Sequence, residues 1–418
     1  MSDERPRTSG VFYGWVIAAC ALLALLVSNG MTISGITVFD EALLKEFGWS
    51  RADLKLRDLL QFGLSGLLAP FIGAVADRFS LKRLMLGGAG LLALCFAAYS
   101  RLESLTGLYL IHVGIALVLA LVGLVLNVLL VSRWFVRKRG TAIGIALVGT
   151  SLGGTLLPPL GRWLIASYGW RTAFLIEAAL PFLLLLVLWL FVYDAPEDKG
   201  LVPLGAHDAG HGGPPAGSSG LSFAEALGTW TFWALALCAM TTFYSILAVA
   251  SHLFLHLRGL GFSPASAANG LGMLFLMGLV GKFLFGWLAD VLDRKLVFLT
   301  NIGVMLAGSL CLSSLRPELF WPFIVLFGFG WGGLYTLLQL LVMDSFGLKA
   351  GGKILGTITV LDALGGGLGP WVTGLLYDRT GSYQSGFMLI TGLVAFAFVL
   401  GATLRPRAHR AAAPAGAR

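Results

Sequence analysis

Residues 140–170 read GTAIGIALVGTSLGGTLLPPLGRWLIASYGW, and residues 352–382 read GKILGTITVLDALGGGLGPWVTGLLYDRTGS. Shifted by 212 positions, they align Gly144 with Gly356, Gly153 with Gly365, Gly154 with Gly366, Pro158 with Pro370 and Gly169 with Gly381. A shift of 213 aligns GAVADRFSLKR, from Gly73, with GWLADVLDRK, from Gly286. Single glycine matches are common in low-complexity apolar sequence. A register that holds from the second apolar run to the sixth marks the chain as two repeats.

Of the 418 residues, 57% are hydrophobic and only 12% are charged, with a mean hydropathy of +0.86. Soluble domains carry about 25% charged residues, so a water-soluble enzyme is excluded, and so is a disordered chain. Runs of about 20 apolar residues, the length a bilayer requires, occur near 13–36, 56–76, 83–100, 107–131, 141–165, 172–193, 230–254, 266–289, 296–314, 320–343, 354–376 and 384–404. The expected fold is an all-α membrane protein of twelve transmembrane helices in two pseudo-symmetric six-helix bundles. The bundles span residues 1–193 and 229–418, the second ending in a short basic tail. Between them, residues 194–228 are rich in Gly, Pro and Ser and read as a flexible linker. Parallel repeats of this kind are one architecture used for alternating access.

The net charge of +8 does not point to nucleic acid, because the charges cluster in short stretches between apolar runs. Arg78, Lys82, Arg83, Arg133, Arg137, Lys138, Arg139, Arg294, Lys295, Lys349, Lys353, Arg405, Arg407 and Arg410 fall on one side if both termini are cytoplasmic. The expected location is a plasma membrane, the inner membrane of a bacterium. Cys20, Cys95, Cys238 and Cys311 lie inside apolar runs, which argues against a disulfide framework. His207 and His211 share a metal-like spacing, but the surrounding Pro and Gly oppose a helix, so no metal site is read there. No P-loop pattern, nucleotide site, cofactor motif or nucleophile–base cluster is present, and an enzyme is not expected.

Gly73-Ala-Val-Ala-Asp77-Arg78 with Lys82 and Arg83, and its second copy in Gly286, Asp290, Asp293, Arg294 and Lys295, resemble the loop motif of the major facilitator superfamily. Ser80 stands where that motif usually has glycine. Phe47-Gly-Trp-Ser-Arg51, and Ser132-Arg-Trp-Phe135 with Lys138-Arg-Gly140 and Gly144-Ile-Ala146, resemble its monocarboxylate and oxalate/formate transporter branch. The physics of the loop motif stands beside the resemblance. Asp77 and Asp290, with Arg78 and Arg294, sit at helix ends where a carboxylate meets a neighbouring helix N-terminus, a gating arrangement. The bland alternative is interface charge that sets topology.

An ionisable residue within a span costs about 2.5–3.5 kcal/mol to insert and is a functional candidate. Lys282 lies about 12 Å along its helix from Asp290. It is a candidate anion site, or else half of an internal salt bridge. The monocarboxylate branch usually has arginine at this position and aspartate one turn earlier, whereas this chain has lysine and Gly278. Asp362, about 13–14 Å beyond Lys353, is the candidate proton-coupling residue. If it pairs with Lys282, protonation would free the lysine for an anion; the pair could equally be structural. Asn127 and, at the repeat-equivalent position, Gln339 are candidate substrate contacts or interhelical hydrogen-bonding groups. Tyr335 and Tyr244 are candidate orienting hydroxyls. His252 is a second proton-coupling candidate, although it and His256 also suit interfacial anchoring. Lys55, Arg57 and Asp58 read as a solvated helix end, Glu177 as interfacial, and the glycine runs at 149–154 and 365–367 as a seam between the halves.

The sequence thus predicts a secondary transporter of a small organic anion, a monocarboxylate such as lactate or pyruvate, working by alternating access and proton-coupled symport. Its partners would be the anion, the proton and the bilayer. Two alternatives stand: a drug or cationic-compound/proton antiporter, which suits Asp362 but not Lys282, and a non-transporting nutrient receptor on the same fold.

Overall fold

The computed structural model describes residues 12–206, 220–347 and 350–404, with the side chains of residues 70, 73, 74, 77, 351 and 352 excepted. The expectations for His207, His211, the basic tail and the side chain of Asp77 lie outside the described residues.

The first helix, α1, runs from Gly14–Asn29 into a π turn, Gly30–Ser34, and a 3-10 turn, Gly35–Phe39. A short helix, Asp40–Phe47, follows. Then come α2 (Arg51–Arg78), α3 (Leu81–Tyr99), α4 (Leu105–Trp134), α5 (Arg139–Tyr168) and α6 (Trp170–Phe191). The second half holds α7 (Trp230–Gly259), α8 (Pro264–Val291), α9 (Arg294–Ser313), α10 (Phe320–Phe346), α11 (Gly351–Thr380) and α12 (Gln384–Thr403). Among the described residues, ten helical segments are long and apolar enough to cross a bilayer. The other two helices of the twelve, α2 and α11, pack against each other between the halves and so need less apolar surface. α1 begins and α12 ends on one side of the bundle, the termini side; the opposite end is the far side.

The repeat extends to the residues that start helices. Ser50 caps α2 and Ser263 caps α8, each accepting a backbone N–H three residues on; Ser80 of α3 and Asp293 of α9 do the same. Both pairs keep the 213-residue shift of the loop motif. Such caps satisfy donors that a helix start otherwise leaves open. α4 departs from the expected unbroken span, because Gly123 adopts an extended conformation and interrupts it.

The glycine runs serve two kinds of contact. A Cβ on Gly153 would lie 2.3 Å from the Leu26 carbonyl oxygen, and one on Gly365 would lie 2.1 Å from that of Met240. These equivalent glycines therefore join α1 to α5 and α7 to α11 within each half. Gly154 against Phe275, Gly272 against the Thr155 backbone, Gly367 against Leu59 and Gly66 against Ala363 meet across the halves. At these glycines the seam consists of the α5–α8 and α2–α11 contacts, so only part of each run belongs to it.

α2 begins at Arg51, five residues before its expected start, and this overturns the reading of its first charges as solvated. Lys55 and Arg57 are fully buried, as is Asp40 at the head of the short helix. Asp40 receives Lys55 Nζ at 2.6 Å on one oxygen and Arg57 Nη2 at 2.5 Å on the other. Asp58 completes the group, 3.8 Å from Lys55 and 3.4 Å from Arg57 Nε. Two cations face two carboxylates, the arrangement that offsets the cost of taking each from water. Arg57 Nη1 alone is left without a hydrogen bond. One turn inward, Gln61 donates to the Thr32 carbonyl at 3.2 Å and meets His112 Nδ1 at 2.9 Å. Glu177 is likewise buried rather than interfacial, at 3% exposure, with Oε1 lacking a partner. The reason is its place on α6, turned toward Gly161 and Phe39 of the same half.

Two outcomes follow for stability, read as thermal unfolding in detergent. Asp40→Asn leaves two buried cations with one charged partner and lowers stability by about 3–5 kcal/mol, while Lys45→Gln on the exposed face of the same short helix leaves it unchanged. Gly153→Ala forces α1 and α5 apart and costs about 1–3 kcal/mol. Gly144→Ala on the same helix, where an added Cβ meets nothing within 4 Å, is tolerated.

Candidate functional site

Lys282 stands on α8 nine residues before its end at Val291, about 13 Å along the helix. Its ammonium donates to Thr150 Oγ1 and Ser151 Oγ of α5, each at 2.9 Å. Both hydroxyls belong to the other half. Among the described residues no carboxylate lies within ion-pair distance of it, so the expected Lys282–Asp362 bridge is absent in this conformation. Neutral hydroxyls solvate the charge without cancelling it, which leaves it available to an anion.

Asp362 lies on α11 at 8% exposure, also without a cation at ion-pair distance among the described residues. Tyr335 of α10 is near enough to Asp362 for their charges to interact, with the side chains of Gln339 and Thr359 beside the Tyr335 hydroxyl. Three of the expected residues, Asp362, Tyr335 and Gln339, are therefore neighbours. Lys282 joins them through α10, where an added Cβ on Gly332 would lie 2.7 Å from the Lys282 amide nitrogen and 2.1 Å from the Gly278 carbonyl. Tyr335 is one turn beyond Gly332, about 4.5 Å along the axis. The lysine and the Tyr335–Asp362 group thus occupy adjoining levels on α8, α10 and α11. Gly281 and Gly332 let α8 and α10 come into contact at this level, an added Cβ on Gly281 lying 2.1 Å from the Phe329 carbonyl oxygen.

The remaining expectations do not converge here. Asn127 is fully buried and its amide donates to the carbonyls of Val122 and Gly123, both at 2.8 Å. The Gly123 carbonyl also accepts the Asn127 backbone N–H at 3.4 Å, so in this conformation the Asn127 amide braces the helix break, while its Oδ1 has no partner. Tyr244 is buried in α7 with its hydroxyl unpartnered, close to Thr373. His252 is buried, not interfacial: Nε2 lies 2.8 Å from the Pro370 carbonyl and Nδ1 lies 3.1 Å from the Tyr383 hydroxyl. The carbonyl can only accept, so Nε2 carries the hydrogen and Nδ1 receives the phenol's. Pro370 is eight residues beyond Asp362, about 12 Å, which removes His252 from the Asp362 group.

Of the gating candidates, Arg294 is held within its own half by Asp344 of α10 at 2.6 Å, while Asp290 and Arg78 are exposed. The seam is tightest at the far side instead. There Arg258 pairs with Glu41 at 2.9 Å, Ser251 donates to Asp58 at 3.0 Å, and the Asp378 carboxylate accepts from the first backbone amides of α2. These contacts continue to mid-depth at Gly66 and Thr150. Beyond them, Gly140, Gly144 and Gly356 face open space. Thr150, Ser151, Thr359 and Ser251 carried no signal in the sequence, since serine and threonine in a helix commonly bond their own backbone.

Residues 20–370 match the family profile of the Major Facilitator Superfamily. The chain is 30% identical over 401 residues to monocarboxylate transporter 13 of Bos taurus, covering 93% of this chain and 87% of that one. It is 28% identical over 404 residues to monocarboxylate transporter 11 of Homo sapiens, covering 91% and 81%. A solved D-xylose-proton symporter superposes with a TM-score of 0.73 at 17% identity, covering 94% of this chain and 98% of the other. The chain therefore belongs to the Major Facilitator Superfamily of membrane transporters, with monocarboxylate transporters among its relatives.

Proposed function

We propose that this transporter moves a small organic anion, a monocarboxylate such as lactate or pyruvate, by alternating access coupled to proton symport. The observation that carries the reading is Lys282, a cation at mid-depth solvated by two hydroxyls from the opposite half and, among the described residues, paired with no carboxylate. A substrate carboxylate supplies the missing countercharge. Because Thr150 and Ser151 belong to the other half, binding there draws on both bundles, as a site between rocking halves requires. Tyr335 and Gln339 orient the anion, and Asp362 carries the proton. Protonated, Asp362 presents no charge to repel the anion; ionised, it disfavours rebinding. The described termini-side loops carry Arg78, Lys82, Arg83, Arg133, Arg137, Lys138, Arg139, Arg294, Lys295 and Lys353, which supports cytoplasmic termini in a plasma membrane. This conformation is then closed to the outside, and the domain limits at 193 and 229 mark the two rocking bodies. Asp77, Arg78, Asp290 and Arg294 act at the inner gate.

The test is uptake of radiolabelled lactate, pyruvate, oxalate and formate into proteoliposomes, with and without an imposed pH gradient. Lys282→Ala should lower uptake by about ten- to hundredfold, the weight of a hydrogen bond to a charged group. Undiminished uptake would remove the anion-site assignment, and outward movement of lipophilic cations alone would favour the antiporter. Asp362→Asn should abolish accumulation driven by the pH gradient while retaining counterflow exchange; accumulation equal to the parent's would sink the coupling role.

A further inference from the structure

The far-side end of α2 is completed by the other half of the molecule. A helix leaves its first N–H groups without partners inside itself. In α2, Ser50 Oγ accepts from Asp53 at 3.0 Å, and the Ser50 carbonyl accepts from Leu54 at 3.1 Å. The two amides before them, of Arg51 and Ala52, donate to Asp378 Oδ1 at 3.0 Å and Oδ2 at 2.7 Å. Asp378 belongs to the last turns of α11. One carboxylate thus spans both donors and places its charge on the positive end of the α2 dipole.

The surroundings are shaped for this contact. Gly374 lies one turn before Asp378, and a Cβ there would come within 3.0 Å of the Arg51 carbonyl oxygen and 3.1 Å of the Ala52 nitrogen. The Arg51 guanidinium lies 3.6 Å from the centre of the Tyr377 ring and 4.8 Å from that of Tyr383, and it also donates to the Tyr383 hydroxyl. Arg51 ends the Phe47-Gly-Trp-Ser-Arg51 stretch, which gives that stretch a physical role. It carries the α2 start and the cation that stacks on α11.

The sequence adds a relation between the two ends of this helix pair. Gly374-Leu-Leu-Tyr-Asp378-Arg379 has the same spacing as Gly73-Ala-Val-Ala-Asp77-Arg78. One stretch closes α11, the other closes α2, and the two helices run antiparallel along the seam. Each glycine–aspartate–arginine stretch therefore stands at the C-terminal end of one helix, level with the N-terminal end of the other. We propose that Asp378 is the far-side latch of this transporter, holding the start of α2 against α11 while that side is closed. In the conformation described, Asp378 caps α2. When the halves part at the far side, the Arg51 and Ala52 amides pass to water.

The proposal rests on the alternating-access part of the function and is independent of the substrate. The test is a distance measurement by pulsed electron spin resonance on the full chain in detergent, without substrate. The four native cysteines are replaced by alanine, and labels are attached at Glu103→Cys and Glu318→Cys, exposed far-side positions of the two halves. Asp378→Ala should add a longer-distance population, raising the open-to-closed ratio about tenfold. Asp378→Asn, which keeps an acceptor oxygen but loses the charge, should shift it less in the same direction and serves if the alanine variant does not fold. A distribution unchanged by the Asp378 substitutions overturns the latch. Failure of the organic-anion reading would leave all of these distances unaltered.

Discussion

In hydrocarbon, no water expels apolar surface, so two helical bundles gain nothing by hiding leucine from lipid. Whatever holds the halves together has to come from close approach of backbone and from polar contacts, and for a transporter these must also be reversible. The seam follows both requirements. Glycines let α5 touch α8 and α2 touch α11 at mid-depth, while the strong polar contacts are concentrated where the bundle is closed. Within each half, by contrast, Gly153 and Gly365 bring α1 to α5 and α7 to α11 at distances that admit no side chain. The bundles are rigid internally and separable from each other for the same steric reason, applied in different places.

The polar groups divide in the same way. The Asp40, Lys55, Arg57 and Asp58 cluster is closed on itself, with each carboxylate facing two cations, and it sets the geometry of the far-side end. Lys282 and Asp362 are the opposite case. Each is an ionisable group without an ion-pair partner among the described residues, on two helices of one half that α10 bridges. A charge left uncompensated at mid-depth is costly to maintain, and that cost favours a mobile countercharge.

The twelve spans and the repeat were legible because hydropathy and glycine spacing are one-dimensional signals. The departures arise where direction around the helix matters. Depth singles out Lys282 and Asp362 but carries no information on azimuth, and the lysine turns to Thr150 and Ser151 instead. The repeat matches Asn127 to Gln339, but the break at Gly123 exists only in the first half and engages the amide. Lys55, Arg57 and Asp58 read as solvated because nothing adjacent in sequence announces Asp40 as their partner, fifteen residues before Lys55. His252 gave a titratable group near a helix end, whereas its two acceptor and donor roles are fixed by α11 and Tyr383.

The buried cluster also bears on how α2 is held in the bilayer. α2 carries Arg51, Asp53, Lys55, Arg57 and Asp58 within its first eight residues, and it is one of the helices that fall short of the apolarity of a lone span. By itself in lipid, this stretch would hold three cations against two carboxylates. Asp40 lies just beyond α1 and completes the charge balance of the cluster, so this end of α2 is balanced only when it is packed against the end of α1. Burial of Lys55 and Arg57, as much as the closed far side, therefore calls for a carboxylate at Asp40.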